Sequence, residues 1–504
     1  MTDIYEKIKG KRIVIWGVGR LQCDLEGLYS FSDFLYYVDD SFQEKDLICV
    51  PKERIYSPEK LVKEDKNDLV VIICKEAQDD VISSLVSMGY GKENYILGQE
   101  LLFNGHLYEQ IQKQKVYIWG TGGSYFNRER EIREYLPEVA GFIVTDKREE
   151  MFQGREILSK EEAVDRCRHS FIIVASIYYK DIYEELVGMG FRPGWDFLHL
   201  ETFVTLGNQS AYLNAGYQFD DRRQGQNELL VVLAGYKEFV WESVFPRLRA
   251  YAPEDMDICI VTSGLTSNTL KELCKRYGWS YLSTERNNVS LAVNLAVWLH
   301  PEGEYIYKMD EDIFVTEGVF ETLKSTYLKV EEDSRYSVGF VAPLIPVHGY
   351  GYVRLLEIFH SVELWEERFG RLKYSDCFYH DLTIWKSPQA ARFMWGEGNP
   401  KMNNLDRMQK VLQERPFQYS ICPIRHGIGF ILFHRENWMK MGTFPVQEYR
   451  NMGVDEEWMC GFCMMQARVI VIAENAVAGH LGYGEQNAEM ERYYQKHKER
   501  FLLS

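Results

Sequence analysis

Two aspartates stand one residue apart at the end of an apolar segment. The segment at 304–309 predicts a buried strand, and Asp310 and Asp312 follow it directly. If the chain turns there, both carboxylates can face one ligand and hold a hard divalent cation, which in turn holds a diphosphate. Acidic turns are common, so the pattern also fits a turn without a ligand. The segment is therefore a candidate metal and diphosphate site, and an acidic turn without a ligand is the alternative.

Three further side chains could complete such chemistry. Asp455 and Glu456 open a predicted helix, and His480 follows a predicted strand at 469–473. A carboxylate can take the proton of an attacking hydroxyl, and a divalent cation can stabilise the charge on a leaving nucleoside diphosphate. The acidic pair also fits a solvated helix start, which the helix dipole favours, and a lone histidine often has a structural role.

The elements that must position these residues form a predicted α/β domain at 228–504. Apolar strands at 229–233 and 257–261 alternate with helices at 238–251 and 270–277. Strands alternating with helices predict a largely parallel sheet whose ligand site lies at the carboxyl ends of the strands. Asp310 and Asp312 stand at such an end.

Five segments of this domain resemble, in their order, those of an inverting GT-A glycosyltransferase, a member of the large group that builds bacterial capsule and O-antigen chains. The segments are 262–270, 304–314, 429–445, 453–458 and 476–480. The resemblance covers about 228–483. It implies a GT-A (nucleotide-diphospho-sugar transferase) domain that is metal-dependent. Such an enzyme moves a sugar from a nucleotide-sugar donor, UDP-linked by default, onto a growing surface polysaccharide or lipid-linked glycan.

The resemblance also implies a role for each residue of the candidate site. Asp312 would be the direct ligand of Mn²⁺ or Mg²⁺, Asp310 would join it nearer the ribose, and His480 would complete the diphosphate-metal site. Glu456 falls on the position of the catalytic base. Asp455 is the alternative base, because the family's Glu-Asp pair is reversed here.

Other residues of the domain would bind the donor nucleotide. Asn294 matches the helix after the family's third strand, and the residues after the first strand would form the nucleotide wall. The carboxylate with which many relatives grip the base is missing, so a hydroxyl of Thr262 or Ser263 would have to accept a base N–H, and the nucleotide stays open. The candidates are Gly235, Tyr236, Lys237, Thr262, Ser263 and Asn294.

An insertion at 343–418 is rich in aromatic residues and histidines. Sugar C–H faces stack on aromatic rings, so this insertion is a candidate acceptor groove; the alternative is a helical subdomain with an aromatic core. Its members include His348, Tyr350, Tyr352, Trp365, Tyr374, Tyr379, His380, Trp385 and Trp395. The tail at 490–501 mixes basic and aromatic residues, which fits either contact with a membrane surface or a solvated closing helix.

The amino-terminal part of the chain repeats one small α/β unit. The segment at 13–19 returns at 116–122, and later segments keep an offset near one hundred residues. Each copy begins as a Rossmann-type unit does, with an apolar strand, a Gly-x-Gly turn and a helix. We expect Rossmann-like domains at 1–104 and 105–204 and a turn-rich linker at 205–227. Such units are similar to the small Rossmann-like domains often fused to bacterial polysaccharide-assembly enzymes.

A dinucleotide site in these repeats is disfavoured. Asp39 and Asp146 end the second strand of each copy, where a ribose hydroxyl could be held, but both copies lack the third glycine of the dinucleotide fingerprint. A scaffold, docking or oligomerisation module is the favoured interpretation.

Composition narrows the classes of function. The 504 residues include 58 Lys and Arg against 75 Asp and Glu, a net charge of −17, which argues against a nucleic-acid partner. No apolar run approaches the roughly 18 residues of a membrane span, and we do not expect the charged start to be a signal peptide. Scattered cysteines, with Cys460 and Cys463 favoured as buried helix residues, indicate reduced thiols. We expect a cytoplasmic protein, with the inner face of the membrane as the alternative place of action.

Two other functions stay open. A non-catalytic nucleotide or nucleotide-sugar binding scaffold would explain the missing base-gripping carboxylate. An NAD(P)-dependent sugar oxidoreductase would use the amino-terminal repeats, although their incomplete fingerprints and the missing Tyr-x-x-x-Lys pattern weigh against it.

Overall fold

A computed structural model of the chain divides into two compact units, Met1–Asn214 and Ala215–Ser504. We refer to them as the amino-terminal and the carboxyl-terminal unit and describe each by itself. The structure describes residues 8, 10–29, 34–40, 50, 52–75, 78–102, 105–136, 138–333, 335–375, 381–448 and 450–503.

The amino-terminal unit alternates strands and helices. Its strands are β1 (Arg12–Trp16), β2 (Phe34–Val38), β3 (Ile55–Tyr56), β4 (Leu69–Ile73), β5 (Tyr95–Leu97), β6 (Lys115–Trp119), β7 (Gly141–Val144), β8 (Met151–Phe152), β9 (Arg155–Ser159), β10 (Ser170–Val174) and β11 (Phe197–His199). Its α-helices are α1 (Arg20–Leu28), α2 (Gln78–Ser87), α3 (Gly105–Gln112), α4 (Gly123–Asn127), α5 (Glu129–Tyr135), α6 (Lys160–Arg166), α7 (Tyr179–Gly188) and α8 (Leu200–Leu213). Short 3-10 helices lie at Lys52–Arg54, Pro58–Lys63, Lys92–Asn94 and Gly98–Leu102.

The two sequence repeats correspond to two sheets with the same central strand order. The first sheet runs β3-β2-β1-β4-β5, and the second runs β11-β10-β6-β7-β9-β8, so that β6, β7 and β10 repeat the arrangement of β1, β2 and β4. The pairs that join these strands are parallel. A Cβ at Gly17 would lie 2.7 Å from the backbone nitrogen of Lys75, and one at Gly120 would lie 2.4 Å from the carbonyl oxygen of Ala175. The first glycine of each turn is therefore required by close backbone packing, without any ligand.

The repeats, expected as separate domains, pack as one unit. One hydrophobic core contains Ile15 and Ile72 from the first copy together with Ile118 and Phe203 from the second. The buried carboxylate of Asp24 accepts hydrogen bonds from Thr202 and, at 2.8 Å, from the hydroxyl of Tyr179. Burial raises the pKa of Asp24 to about 6, against the lowering effect of these hydrogen bonds.

The carboxyl-terminal unit is a mixed α/β structure. Its strands are β12 (Tyr217–Asp220), β13 (Glu228–Leu233), β14 (Met256–Ser263), β15 (Ser280–Thr284), β16 (Tyr305–Asp310), β17 (Ile313–Phe314), β18 (Ser337–Leu344), β19 (Tyr419–Ile421), β20 (Phe430–His434), β21 (Arg468–Val477) and β22 (Gly479–His480). Its α-helices are α9 (Trp241–Tyr251), α10 (Asn268–Tyr277), α11 (Val289–Leu299), α12 (Val319–Glu332), α13 (Gly351–Ile358), α14 (Val362–Phe369), α15 (Leu382–Lys386), α16 (Pro388–Met394), α17 (Leu405–Gln413), α18 (Arg435–Lys440), α19 (Val454–Met465) and α20 (Asn487–Lys496). Short 3-10 helices lie at Glu238–Val240, Pro400–Met402, Gly484–Gln486 and Lys498–Arg500.

One large sheet runs through this unit in the order β12-β15-β14-β13-β16-β20-β18-β21-β19. Strands β15, β14, β13 and β16 are parallel neighbours, and β20 joins β16 in the antiparallel sense. The register pairs Leu233 with Asp310, so the chain that leaves β13 does so beside the first aspartate of the candidate site. The expectation of an α/β fold with parallel strands is confirmed.

The segment expected as a linker, 205–227, is largely structured. Helix α8 continues to Leu213, and β12 pairs antiparallel with β15. The polar, turn-rich part is bound by Asp257, whose carboxylate accepts hydrogen bonds from the backbone of Gln224, Gly225 and Gln226 at 2.7 to 3.0 Å. Its polar composition therefore reflects internal hydrogen bonds as well as turns.

The insertion at 343–418 contains the helices α13 to α17. The Trp365 ring packs against Tyr352, Phe369 and Phe393, with centroids 4.6 to 5.9 Å apart. These contacts agree with the helical subdomain that was the alternative to an acceptor groove. Two further residues of the expected groove, Tyr379 and His380, lie outside the described residues.

The tail is held against the carboxyl-terminal unit. The aromatic rings of Tyr493, Tyr494 and Phe501 are buried. The buried guanidinium of Arg247 pairs with Asp406 and donates to the carbonyl oxygen of Phe501 at 2.8 Å. The aromatic side chains of the tail are thus used in packing.

Two expectations concern cysteines and membrane spans. Cys460 and Cys463 are free thiols buried on α19, as expected of packing residues. Among the residues that the structure describes, no helix is both long enough and apolar enough to cross a bilayer.

Candidate active site

The three consecutive acidic residues at the end of β16 have three different sets of partners. The Oδ1 atom of Asp310 lies 3.3 Å from the ammonium of Lys308, and Asp312 contacts Lys237 and His480. Glu311, between them, accepts hydrogen bonds from the loop after β13. The three acidic residues therefore contact the side chains and the loop that surround the candidate site.

Asp312 is a buried carboxylate between two basic groups. Its Oδ2 atom accepts a hydrogen bond from Lys237 Nζ at 2.6 Å and lies 3.2 Å from His480 Nε2. Burial alone would raise the pKa of Asp312, but the charges and hydrogen bonds of His480 and Lys237 outweigh it and hold the pKa well below its usual range. Asp312 is thus an anion at neutral pH, as a ligand for a cation must be.

A short ladder of strands places His480 beside Asp312. Strands β17 and β22 pair antiparallel and put Ile313 opposite His480. The indole of Trp395 donates from Nε1 to the carbonyl oxygen of His480 at 3.1 Å. A Cβ at Gly479 would lie 2.4 Å from this indole, so the glycine allows the tryptophan to pack directly under the strand.

Glu311 anchors the loop that carries Lys237. Its Oε1 atom accepts the backbone N–H of Tyr236 at 2.8 Å, and Oε2 accepts that of Gly235 at 2.9 Å. The indole N–H of Trp241 donates to the same Oε2 at 2.7 Å. Burial raises the pKa of Glu311, and these hydrogen bonds oppose that shift. The predicted nucleotide wall is therefore fixed to the acidic triplet through its backbone.

Lys308 joins Asp310 to the start of helix α19. Its buried ammonium lies 3.3 Å from Asp310 Oδ1 and 3.4 Å from Asp455 Oδ2, and it donates to the carbonyl oxygen of Ile428 at 3.1 Å. Burial lowers the pKa of Lys308, but the two carboxylates more than compensate and raise it. Burial raises the pKa of Asp310, and Lys308 counteracts this. One lysine thus pairs with two carboxylates from separate segments.

Glu456, the expected base, is paired with an arginine. The guanidinium Nε of Arg425 lies 2.7 Å from Glu456 Oε1, and 19% of the Glu456 side chain is exposed. Burial raises the pKa of Glu456 to about 6, while the positive charge of Arg425 lowers it. A carboxylate with this pKa is ionised at neutral pH and binds a proton more readily than an ordinary glutamate does.

Three predicted nucleotide-binding residues have their polar atoms engaged inside the protein. Asn294 is fully buried; its amide donates to the carbonyl oxygen of Phe444 at 2.7 Å and accepts from Trp438 at 2.9 Å. The Thr262 hydroxyl bonds to Leu265 and Tyr281, and the Ser263 hydroxyl accepts the N–H of Asn288 at 2.7 Å. The structure assigns these side chains to internal packing, because all three are buried and bonded within the chain.

Tyr236 has a different environment. Its hydroxyl donates to the carbonyl oxygen of Ser263, while 60% of the residue is exposed. Its ring is the exposed part of the loop Gly235–Lys237.

Sequence reasoning missed Lys308, Glu311 and Arg425. Lys308 carried a signal, because a lysine inside an apolar strand must find a partner, and it shares a strand face with Asp310 two residues on. Glu311 gave no separate signal, because an acidic residue between two aspartates fits the same acidic turn. Nothing in the local sequence distinguishes Arg425.

The side chains at this site fit a divalent cation whose coordination is completed by a bound substrate. Among the described residues, no three histidine, cysteine, aspartate or glutamate side chains converge closely enough to hold a metal by themselves. Asp312 Oδ2 and His480 Nε2 are 3.2 Å apart, close to the spacing of about 3 Å between adjacent ligands of a six-coordinate cation with bonds of roughly 2.1 Å. Asp310, the third expected ligand, is paired with Lys308. Mg²⁺ sites often use one or two carboxylates with substrate phosphates and water.

The chain shows only limited similarity to known proteins. No family model and no curated protein matches the chain. Among solved structures it is similar to GalNAc-T7 with UDP, GalNAc and Mn²⁺, at 13% identity and a TM-score of 0.32 over 52% of this chain and 45% of that chain. It is also similar to the mannosyltransferase PcManGT from Pyrobaculum calidifontis with GDP-Man and Mn²⁺, at 13% identity and a TM-score of 0.30 over 58% of this chain and 67% of that chain. The chain thus matches less than half the length of the first structure, and TM-scores this low do not establish a shared fold.

Proposed function

We propose that the carboxyl-terminal unit is a metal-dependent, inverting glycosyltransferase with a GT-A fold that uses a nucleotide-diphosphate sugar. The observation that carries the proposal is the convergence of four chain segments: Asp310 and Asp455 share Lys308, and Asp312 contacts both His480 and Lys237. Carboxylates, an imidazole and two ammonium groups are the side chains needed to bind a diphosphate with a cation and to accept a proton beside it.

The cation would be held by Asp312 and His480. When bound, Mn²⁺ or Mg²⁺ supplies positive charge that stabilises the leaving nucleoside diphosphate. The donor is assigned as a UDP-sugar by analogy alone, since the buried hydroxyls of Thr262 and Ser263 offer no recognition of the base. Gly235, Tyr236 and Lys237 remain the proposed nucleotide wall.

The protein's own residues would do the rest. Glu456 would take the proton of the acceptor hydroxyl as that oxygen attacks the anomeric carbon, which inverts the configuration in a single displacement. Arg425 orients this carboxylate and keeps it ionised near neutral pH. Asp455 is the alternative base, but its pairing with buried Lys308 favours a positioning role.

The proposed acceptor is a growing surface polysaccharide or lipid-linked glycan, with the enzyme working in the cytoplasm at the inner face of the membrane. This part rests on the sequence resemblance to capsule and O-antigen enzymes. The amino-terminal unit is proposed as two Rossmann-like repeats that serve as a scaffold or oligomerisation module. Asp39, which would hold a ribose in a dinucleotide site, instead accepts the backbone N–H of Val18 at 3.1 Å. The incomplete glycine fingerprints of both repeats weigh against an NAD(P)-dependent activity.

The test is hydrolysis and transfer across a panel of UDP-, GDP- and dTDP-sugars, with Mn²⁺, Mg²⁺ or chelator. We expect one donor to be consumed only with metal, and Asp312→Ala to abolish that turnover. A donor consumed equally well with chelator, or by the Asp312→Ala protein, would contradict the metal assignment. No consumption of any donor with lipid or glycan acceptors present would favour the non-catalytic binding protein.

The base is tested with two matched amide variants. We expect Glu456→Gln to lower transfer by about 10²- to 10⁴-fold, the usual contribution of a general base. Asp455→Asn should have the smaller effect. A larger loss of transfer in Asp455→Asn than in Glu456→Gln would identify Asp455 as the base. Retention of the anomeric configuration in the product would contradict the inverting mechanism.

A further inference from the structure

Lys237 is paired with Asp312, the carboxylate proposed to bind the metal ion. Its ammonium donates to Asp312 Oδ2 at 2.6 Å, and His480 Nε2 lies 3.2 Å from the same oxygen atom. Lys237 and His480 therefore contact the same oxygen atom of Asp312. A metal ion cannot approach this oxygen from that side unless the ammonium leaves.

The two partners of this ion pair differ in freedom. Asp312 is fixed and buried, with 2% of its side chain exposed, whereas 27% of the Lys237 side chain is exposed. The backbone just before Lys237 is anchored by the hydrogen bonds from Gly235 and Tyr236 to Glu311. A lysine is a compact charge on a flexible four-carbon stem, so this side chain can change partner while its backbone stays in place.

Electrostatic repulsion disfavours binding of the Lys237 ammonium and a metal ion to Asp312 at the same time. Like charges a few ångströms apart repel strongly where water is scarce, and no further carboxylate among the described residues contacts the Lys237 ammonium. A nucleoside diphosphate brings negative oxygens to the same place. The displaced ammonium then gains the diphosphate as a partner when the donor is present, in addition to the nearby charges of Asp310 and Glu311.

We propose that Lys237 is an internal cation that holds Asp312 until metal and donor bind, and that it then transfers to the diphosphate. The inference rests on the proposed function and deepens it, because it makes metal and nucleotide binding cooperative. Metal alone binds weakly, since it must displace the lysine without compensation. By thermodynamic reciprocity, the nucleotide and the metal strengthen each other's binding by the same factor.

The test is Mn²⁺ binding to the full chain, measured by electron paramagnetic resonance of free Mn²⁺, with and without UDP. For the native protein we expect UDP to tighten Mn²⁺ binding at least tenfold. For Lys237→Met we expect Mn²⁺ alone to bind at least tenfold more tightly than to the native protein, and UDP to add little. Lys324→Met is the matched control, because Lys324 pairs with Glu228 and touches none of these residues.

The outcomes separate this inference from the proposed function. Equal binding of Mn²⁺ alone to the native and Lys237→Met proteins would overturn the role of Lys237 while leaving the metal site in place. Mn²⁺ binding by Lys237→Met that survives a second change, Asp312→Ala, would overturn the metal site itself. No Mn²⁺ binding by any protein, even with UDP, would overturn both.

Discussion

The ammonium of Lys308 lies 3.4 Å from Oδ2 of Asp455, although 147 positions separate the two residues (455 − 308). The same ammonium lies 3.3 Å from Asp310, so the acidic triplet after β16 and the acidic start of α19 belong to one buried charge cluster. Lys308 is the buried cation that both carboxylates share.

Lys308→Met is expected to destabilise the carboxyl-terminal unit. The change leaves buried Asp455 and the partly exposed Asp310 without the cation that they share, and breaking a buried ion pair costs up to about 3–5 kcal/mol. Calorimetric unfolding should show this loss, while Lys386→Met, in an exposed pair with Glu485, should lose about 1 kcal/mol or less. Equal melting temperatures for the two variants would mean that the cluster does not depend on Lys308.

Glu311→Gln is expected to loosen the loop Gly235–Lys237. An amide presents N–H groups where the loop and Trp241 present donors of their own, so at least one donor loses its partner at a cost of about 1–3 kcal/mol. We expect nucleotide binding to weaken about tenfold by calorimetric titration. Glu317→Gln, at an exposed position in the same segment, is the control and should bind as the native protein does. Unchanged nucleotide affinity in Glu311→Gln would mean that this loop does not contribute to nucleotide binding.

Gly479→Ala is expected to disturb His480. The new methyl group would lie 2.4 Å from the indole of Trp395, which is buried and donates to the His480 carbonyl. Overpacking of this kind costs about 1–3 kcal/mol and should weaken Mn²⁺ binding as well. The control is Gly461→Ala, where a Cβ meets nothing within 4 Å inside α19 and alanine favours the helix. If both variants melt and bind alike, the packing under β22 is unimportant.

The pH dependence of transfer should report Glu456. Its pKa is raised to about 6 by burial, and the unprotonated form is the base, so kcat/KM should rise with pH through about 6 and level off about one unit higher. Arg425 lowers this pKa; Arg425→Gln should therefore move the rising limb to higher pH. Arg450→Gln removes the neighbouring, exposed pair with Glu457 and should leave the limb unchanged. If the pH dependence of kcat/KM does not shift in Arg425→Gln, Glu456 is excluded as the titrating base.

Local patterns predicted the central elements of the carboxyl-terminal unit well. The apolar runs at 229–233 and 257–261 lie within β13 and β14, and the run before Asp310 is β16. Such strands are buried on both faces, which makes them visible in composition alone. The proximity of His480 to Asp312 was implied only by resemblance, since the antiparallel pairing of β17 with β22 has no local signature.

The predictions that the structure altered share a physical cause. Asn294, Thr262 and Ser263 have side chains that serve a ligand or the interior equally well, and only the fold decides which. The segment at 205–227 looked like a linker because its polar residues are many, but Asp257 and the pairing of β12 satisfy them internally. Polar composition therefore does not distinguish a solvated turn from one that is hydrogen bonded to the core.

The most direct test of the central claim is calorimetric titration of UDP and GDP into the full chain with Mn²⁺ present, for the native protein, Asp312→Ala and His480→Ala. We expect one nucleotide to bind the native protein, and its affinity to fall at least tenfold in each variant and on addition of chelator. If neither nucleotide binds, or if one binds all three proteins equally with and without chelator, Asp312 and His480 do not form a diphosphate-metal site.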